Sequence, residues 1–188
     1  MNLRQALTAF ALLSIPYLSI ALELPTPPAG FSWREAPLVK AAFLVPDGWH
    51  FRAAQQGSTN GYFITKEDIG IAGSFTTGTS INVIRGIPEK AGLDPSRHAQ
   101  EYIITAATEG QIQRKPWAHN MGPFRSFGVV TRHDDPEEGD YVTHHLAIGN
   151  DSTGTIYIVI FEAPEADWQS AWSVGEQILG RLYIDSDI

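Results

Sequence analysis

Residues 154–163 read GTIYIVIFEA, and this stretch decides the fold class. Side chains of a β-strand alternate between the two faces of a sheet, so the stretch presents two rows of side chains. Both rows are apolar: Ile156, Ile158 and Ile160 on one face, and Tyr157, Val159 and Phe161 on the other. A strand that is apolar on both sides belongs in a sheet whose two faces are both covered. The stretch therefore predicts a central strand between two layers.

Other segments also show strand patterns, and the connections between them are short. Short turns join antiparallel neighbours, whereas parallel strands need long crossovers. An Asn-Gly dipeptide before β-branched and aromatic residues is typical of a tight hairpin turn. The predicted elements are AAFLVP at 41–46, a hairpin turn at Asn60-Gly61, TSINVIRGI at 79–87, FRSFGVVTRH at 124–133 and DYVTHHLAIG at 140–149.

Two helices complete the pattern. Asp94 and Pro95 are typical of a helix start, apolar residues recur at helical spacing after them, and Gly110 ends the segment. The closing segment EADWQSAWSVGEQILGRL carries one apolar stripe: Trp168, Ala171, Trp172, Gly175, Ile178, Leu179 and Leu182. The elements predict an α+β fold, an α/β/α sandwich in which a central, mostly antiparallel sheet is covered by helices.

The N-terminus has the features of an export signal. Arg4 is the only charged residue in the first 22, an apolar run follows it, and Ser19 and Ala21 fit a cleavage site. We expect a signal peptide at 1–21, a Pro-rich leader at 22–37 and a single domain at 38–188. The predicted location is periplasmic or secreted, without stable membrane insertion after cleavage. An uncleaved anchor is the alternative, but Pro16 interrupts the run.

Charge and composition exclude several classes of function. The formal net charge is -8, which disfavours nucleic acid and anionic membranes as partners because their phosphates require clustered Lys and Arg. The chain has no cysteine, so disulfides, thiolate catalysis and cysteine zinc sites are absent. Nothing in the pattern indicates a cofactor.

Residues 133–145, HDDPEEGDYVTHH, raise the question of a metal site. The loop lacks the alternating spacing and the distal glutamate of a calcium loop, so a solvated acidic turn is favoured. As a hairpin, it would pair Thr131 with Val142, Val129 with His144 and His133 with Asp140. His144 would then face an apolar surface and His145 the opposite one. The weak metal candidates are Asp134, Asp135, Glu137, Glu138 and Asp140.

No catalytic residues are predicted. Gly149-Asn150-Asp151-Ser152 faintly resembles a hydrolase serine motif, but it connects two strands as a turn. A small basic and aromatic group is a candidate interaction patch for an acidic partner or a ligand, although ordinary surface explains it too. Its members are Lys115, Trp117, His119, Arg125 and Arg132.

Several features together resemble the PsbP-like superfamily. They are the signal peptide, the turn around Pro46, Gly48 and Trp49, the strand GYFITKED, one helix, three strands and a closing helix with tryptophans. That superfamily includes extrinsic photosystem PsbP subunits, a nuclear Ran-binding branch and bacterial periplasmic proteins of the DcrB type. The resemblance implies an α/β/α sandwich and non-enzymatic work in assembly or binding. It carries no catalytic residues over to this chain.

Two functions from different classes follow. The first is a non-catalytic binding or assembly module that acts through a protein partner. The second is a hydrolase or metal-dependent enzyme whose site is assembled only in the fold. A pocket that gathers two of His98, His119, His133 and His145 around a carboxylate would favour the enzyme, whereas an apolar or mixed groove without such a set would favour binding.

Overall fold

The computed structural model describes residues 24–70, 74–136 and 139–188, and these residues form strands and helices. The helices are α1 Ile87–Ala91, α2 Pro95–Glu109 and α3 Trp168–Leu179, with short 3-10 turns at Pro37–Val39 and Glu165–Asp167. The strands are β1 Phe31–Ala36, β2 Ala41–Pro46, β3 His50–Gln56, β4 Thr59–Thr65, β5 Gly78–Ile84, β6 Gln111–Met121, β7 Phe124–His133, β8 Tyr141–Asn150, β9 Thr155–Pro164 and β10 Tyr183–Ile184.

The strands form two antiparallel sheets. The larger has seven strands in the order β3-β4-β5-β9-β8-β7-β6, and the smaller has three in the order β1-β2-β10. In the larger sheet, every pair of neighbours except one consists of strands that follow each other along the chain. The exception is the β5-β9 pair, because α1, α2 and strands β6 to β8 intervene in sequence. The predicted antiparallel sheet is confirmed.

Helices cover both faces of the large sheet, which confirms the α/β/α sandwich. On one side, called the α2 face, Ala99, Ile103 and Ala106 of α2 pack with Val129 and Ile156 of the sheet. On the other side, called the α3 face, α3 and strand β2 pack together over β4, β5 and β9. Strand β9 is apolar on both sides because it lies between these two cores.

Element prediction succeeds where the apolar pattern is strong. Strand β2 occupies residues 41–46, strand β7 occupies 124–133, and α2 runs from Pro95 to Glu109, all as predicted. The predicted stripe of α3 is its contact face, since Gly175, Ile178 and Leu179 are buried in it. Each of these segments buries enough apolar surface to leave a clear period in the sequence.

The predicted hairpin turn at Asn60-Gly61 is wrong. Both residues lie inside β4, and the chain reverses three residues earlier, at Gly57-Ser58, where Gln56 pairs with Thr59. Gly57 has φ 58, the positive angle that such a turn requires and that glycine adopts without strain. The turn between β3 and β4 therefore uses Gly57, and Asn60-Gly61 is part of the strand.

The predicted register of the β7-β8 hairpin is wrong by one residue. Thr131 pairs with Thr143 and Val130 pairs with His144, because the connection spans residues 134–140 and not 134–139. A shift by one exchanges the two faces of a strand. His144 therefore shares the α3 face with Val130, and Val129 lies opposite His145. The expectation that the adjacent histidines point to opposite faces is confirmed.

Three strands were not predicted: β1, β6 and the two-residue strand β10. Phe31–Ala36, within the segment assigned to the leader at 22–37, forms β1 and pairs along its whole length with β2. Gln111–Met121 forms β6, an edge strand whose side chains are almost all exposed. An exposed edge strand buries little, so it lacks the apolar alternation by which a strand is recognised.

Candidate functional site

The acidic loop is organised around an arginine. Arg132 binds Asp134, Asp140 at 2.6 Å and Glu165 at 2.8 Å. Two of the weak metal candidates are thus neutralised by a guanidinium. Glu137 and Glu138 lie outside the described residues. In the described residues, no three histidine, aspartate or glutamate side chains are grouped so that they could hold a metal ion.

The three histidines of residues 133–145 lie in separate surroundings. His133 stacks on Tyr141 with ring centroids 4.9 Å apart and hydrogen-bonds to Thr131 Oγ1 at 2.9 Å. His145 faces α2, where its Nδ1 lies 3.0 Å from the hydroxyl of Tyr102. His144 faces the other way, towards α3.

His144 is the middle of a stack of aromatic rings, called here the aromatic stack. Its ring lies 5.2 Å from Trp117 of β6 and 4.5 Å from Trp172 of α3. Trp172 stacks in turn on Trp168 at 5.4 Å, and the guanidinium of Arg114 lies 4.4 Å over the ring of Trp117. The stack connects the edge strand to the helix across the α3 face. Rings at these separations attract one another beyond simple burial.

The stack holds its histidine neutral. Burial lowers the pKa of His144 from 6.5 to about 3, with smaller contributions from the positive charges of Arg114 and His145. On the other face, burial followed by the charge of His133 lowers the pKa of His145 to about 4. Burial also raises the pKa of Tyr102 to about 12, with a smaller contribution from Glu109.

Gly128 leaves the space that the indole of Trp117 occupies. A Cβ atom at Gly128 would lie 2.2 Å from Cζ2 of Trp117, so the indole lies flat on the backbone of β7. Sequence reasoning missed this contact because β6 was not recognised as a strand. A usable signal was present, since a glycine inside a strand pattern often marks the close approach of another group.

The Gly149-Asn150-Asp151-Ser152 turn forms hydrogen bonds to the start of α2 and to the C-terminal segment. Asp151 accepts hydrogen bonds from the backbone N–H of Ser96 and from its hydroxyl, both at 2.7 Å, and thereby caps α2. Ser152 donates to Asn150 Oδ1 at 2.6 Å. The side chain of Asn150 is fully buried and donates to the carbonyl of Ser186 at 2.8 Å. The hydroxyl of Ser152 is thus held by an amide, and no base lies beside it among these contacts.

The structure divides the predicted interaction patch. Trp117 and His119 pair with Gly128 and Ser126, so they lie on the α3 face of the β6-β7 hairpin. Arg125 pairs with Asn120 on the α2 face, while Lys115 lies on the exposed edge strand. The remaining member, Arg132, is bound by the three carboxylates described above.

The α3 face carries an open apolar groove next to the aromatic stack, called here the α3 groove. It lies between the C-terminal end of α3, at Leu179, and strands β6 to β8, where Met121, Leu146 and Ile148 line it, and it encloses about 190 Å³. Met121 is 66% exposed at the rim of this groove. His119 is the one histidine in its lining, and no carboxylate lies there.

The β6-β7 hairpin is a basic region on an acidic protein. Residues 111–133 contain Arg114, Lys115, Arg125 and Arg132 but no aspartate or glutamate, whereas the whole chain has 21 acidic residues and 13 basic ones. Arg132 is neutralised by its three carboxylates. The other three cations form no ion pair within the described part of the chain.

A histidine also lines a shallow cavity at the C-terminal end of α2. His133, Glu109 and Asp134 lie there with Arg132. This is a single histidine beside carboxylates, one of which is already bound to Arg132. Of the cavities in the described residues, neither this one nor the α3 groove gathers two of His98, His119, His133 and His145.

Comparisons with known proteins concern the fold. No protein-family model matches the chain, and no curated protein sequence matches it. The solution structure of cyanobacterial PsbP (CyanoP) from Synechocystis sp. PCC 6803 superimposes with a TM-score of 0.52, covering 95% of this chain and 99% of that one at 12% sequence identity. The chain has the PsbP-like fold. The resemblance inferred from the sequence is thereby confirmed for the architecture.

Two further structures are similar to this chain. The Ran-binding protein Mog1p of Saccharomyces cerevisiae has a TM-score of 0.45 and 15% identity, with 82% of this chain and 95% of that one covered. A protein from Bacteroides thetaiotaomicron has a TM-score of 0.46 and 12% identity over 77% of this chain. The match covers 45% of that protein, so this chain spans less than half of its length.

None of the helices in the described part of the chain is both long and apolar enough to cross a membrane.

Proposed function

We propose that this chain is a non-catalytic binding module that acts through a protein partner docked in the α3 groove. The observation that carries the proposal is the groove itself, which is apolar, open and bordered by the exposed Met121. A concave apolar surface with a few polar groups at its rim is the usual form of a docking site. Among the described side chains that line it, the hydroxyl of Ser126 donates to the backbone carbonyl of His119 at 3.2 Å and not to its imidazole.

The partner would insert an apolar side chain between Leu179 of α3 and the sheet. Trp117 and Trp172 of the aromatic stack give the neighbouring wall rigid aromatic surface, of the kind that dominates binding energy at interfaces. The cations of the β6-β7 hairpin would steer a partner of opposite charge towards the groove. Of the predicted patch, Trp117 and His119 lie on the α3 face beside this surface.

We further propose a periplasmic or secreted location. The support is the apolar run and the cleavage pattern at residues 1–21, which lie outside the described residues. N-terminal sequencing of the protein purified from its native cells should begin at Leu22. A protein that starts at Met1 and remains with the membrane fraction would show that the segment is an anchor.

The groove can be tested by a matched pair of substitutions. Met121→Glu places a charge at the groove, and Ile104→Glu places the same charge on α2, where Ile104 is 56% exposed. Tagged wild-type protein and both variants are used for capture from native cells, with quantitative mass spectrometry of what is retained. A protein bound directly to the groove should be lost about tenfold or more with Met121→Glu and retained with Ile104→Glu.

Equal retention by all three proteins would contradict a partner in the groove. A protein that is lost only with Met121→Glu is then purified and should bind the purified wild-type chain in calorimetry. This step is needed because capture alone does not distinguish direct from indirect binding. The thermal midpoints of both variants should match the wild type, since both positions are exposed.

A further inference from the structure

The edge of the large sheet next to the α3 groove has an open stretch of backbone. Strand β6 is the last strand in the order β8-β7-β6, so among the described residues no strand pairs with its other side. Its first half is irregular: register shifts occur between Ile112 and Arg114 and between Arg114 and Trp117, and Pro116 lies in the same part. Bulges and proline are features by which natural sheets block pairing at an edge. Its second half, from Trp117 to Met121, pairs regularly with β7.

The regular half presents hydrogen-bonding groups to solvent. A two-residue turn at Gly122-Pro123 joins Met121 to Phe124, and Gly122 has φ 57. The residues that flank such a turn form a hydrogen-bonded pair, and hydrogen-bonded pairs then alternate along the ladder. The backbone groups of Ala118 and Asn120 therefore point away from β7. A strand that joins the sheet can bind these groups.

The charges around this open edge specify what can bind. Arg114, Lys115 and Arg125 are the hairpin cations without an ion pair in the described residues, and none of the residues 111–133 is acidic. A second copy of the chain would place the same cations against one another, which disfavours self-pairing. An acidic strand would neutralise them. Its alternate side chains would face the α3 groove, because side chains of a strand alternate between faces.

The opposite edge of the sheet is less suitable. In the described part of the chain, strand β3 also has no neighbour on one side, and the side chain of Arg52 in it donates to the carbonyl of Gly70. The apolar groove adjoins β6 and not β3.

We propose that the partner binds as an added β-strand along Trp117–Met121, through an extended acidic segment whose apolar side chains enter the α3 groove. This inference rests on the proposed function and specifies the mode of binding and the chemistry of the partner. Backbone hydrogen bonds supply affinity in such complexes, and the alternating side chains supply specificity.

Defined peptides test the inference without a known partner. The first probe is a short capped peptide in which glutamate alternates with valine. The second has lysine in place of every glutamate, and the third is the glutamate peptide with N-methyl groups on alternate amides along one edge. The full chain should bind the glutamate peptide at least about tenfold more tightly than either of the others.

Variants of the chain provide the matched controls. The double variant Arg114→Glu/Lys115→Glu should weaken binding of the glutamate peptide about tenfold, whereas Arg34→Glu/Lys66→Glu, the same change at exposed cations on β1 and after β4, should not. Ala118→Pro removes an outward N–H without removing a ladder bond, so it should weaken binding while Ala118→Val does not. Hydrogen exchange should show new protection at Ala118 and Asn120 when the peptide is bound.

Several results would overturn the inference. They are equal binding of the lysine or the N-methylated peptide, no effect of the Arg114→Glu/Lys115→Glu variant, or a dimer of the chain formed through β6. If no peptide binds but Met121→Glu still abolishes capture of a partner, added-strand binding is wrong and the groove proposal stands. If Met121→Glu has no effect on capture, the groove proposal itself fails.

Discussion

At the scale of single residues, His144 is the most informative side chain of the molecule. It is 5% exposed, lies between two indoles, and its Nδ1 has no hydrogen-bond partner in the described residues. The core therefore accepts the neutral ring only. Because its folded pKa is about 3 and its ordinary value is 6.5, the unfolded chain binds a proton in this pH range that the folded chain does not.

This difference makes stability depend on pH. The contribution of His144 is complete above pH 6.5, decreases as the pH falls below it, and reaches its lower limit near the folded pKa of about 3. Between pH 7.5 and pH 5, this residue alone should lower the free energy of unfolding by about 1 to 2 kcal/mol. Chemical denaturation of the wild type and of His144→Phe at both pH values measures the contribution.

The variant should lose less stability on acidification than the wild type. His98→Phe provides the control, because that histidine lies on the surface helix α2 outside the core contacts of the helix. If wild type and His144→Phe responded equally to pH, His144 would not be held neutral in the stack.

At the scale of elements, the start of α2 shows how distant parts of the chain define a helix. Asp94 precedes the helix in the position of a cap, but its side chain makes no capping hydrogen bond. The carboxylate of Asp151, from the turn between β8 and β9, binds Ser96 instead. A Cβ at Gly149 would lie 2.4 Å from the backbone nitrogen of Ser96, so only glycine permits this approach.

Replacing Asp151 and replacing Asp94 by alanine should therefore have different effects on stability. Asp151→Ala should lower the free energy of unfolding by about 1 to 2 kcal/mol, because two hydrogen bonds at the helix start are lost. Asp94→Ala should change it by less than about 0.5 kcal/mol, as is usual for exposed substitutions. Equal losses at the two positions, measured by urea denaturation, would mean that Asp151 is not the cap.

The elements also show what the sequence can and cannot predict. The strand GTIYIVIFEA and the tryptophan stripe of α3 were predictable because each buries a continuous apolar face. Strand β6 was not predictable from the sequence, because Trp117 is the only one of its side chains that is partly buried. The register of β7 and β8 depends on the length of one loop, and an error of one residue there exchanges the neighbours of His144.

At the scale of the whole molecule, the fold brings together residues that are far apart in sequence. Met121 ends β6, Leu146 lies in β8 and Leu179 ends α3, yet the three line one groove. The basic and aromatic composition of residues 115–132 was visible in the sequence, but not its division between two faces. Only the packing of α3 against the sheet places an apolar groove beside the cations.

The central claim is that a protein partner occupies the α3 groove, and site-specific photocrosslinking tests it most directly. A photoreactive phenylalanine analogue is placed at Met121, at Ile104 on α2, or at Leu38, which are all exposed apolar positions. Irradiation of native cells should give a discrete heavier product with position 121 and none with positions 104 and 38. Crosslinks from position 104 or 38 alone, or from none of the three, would contradict the claim.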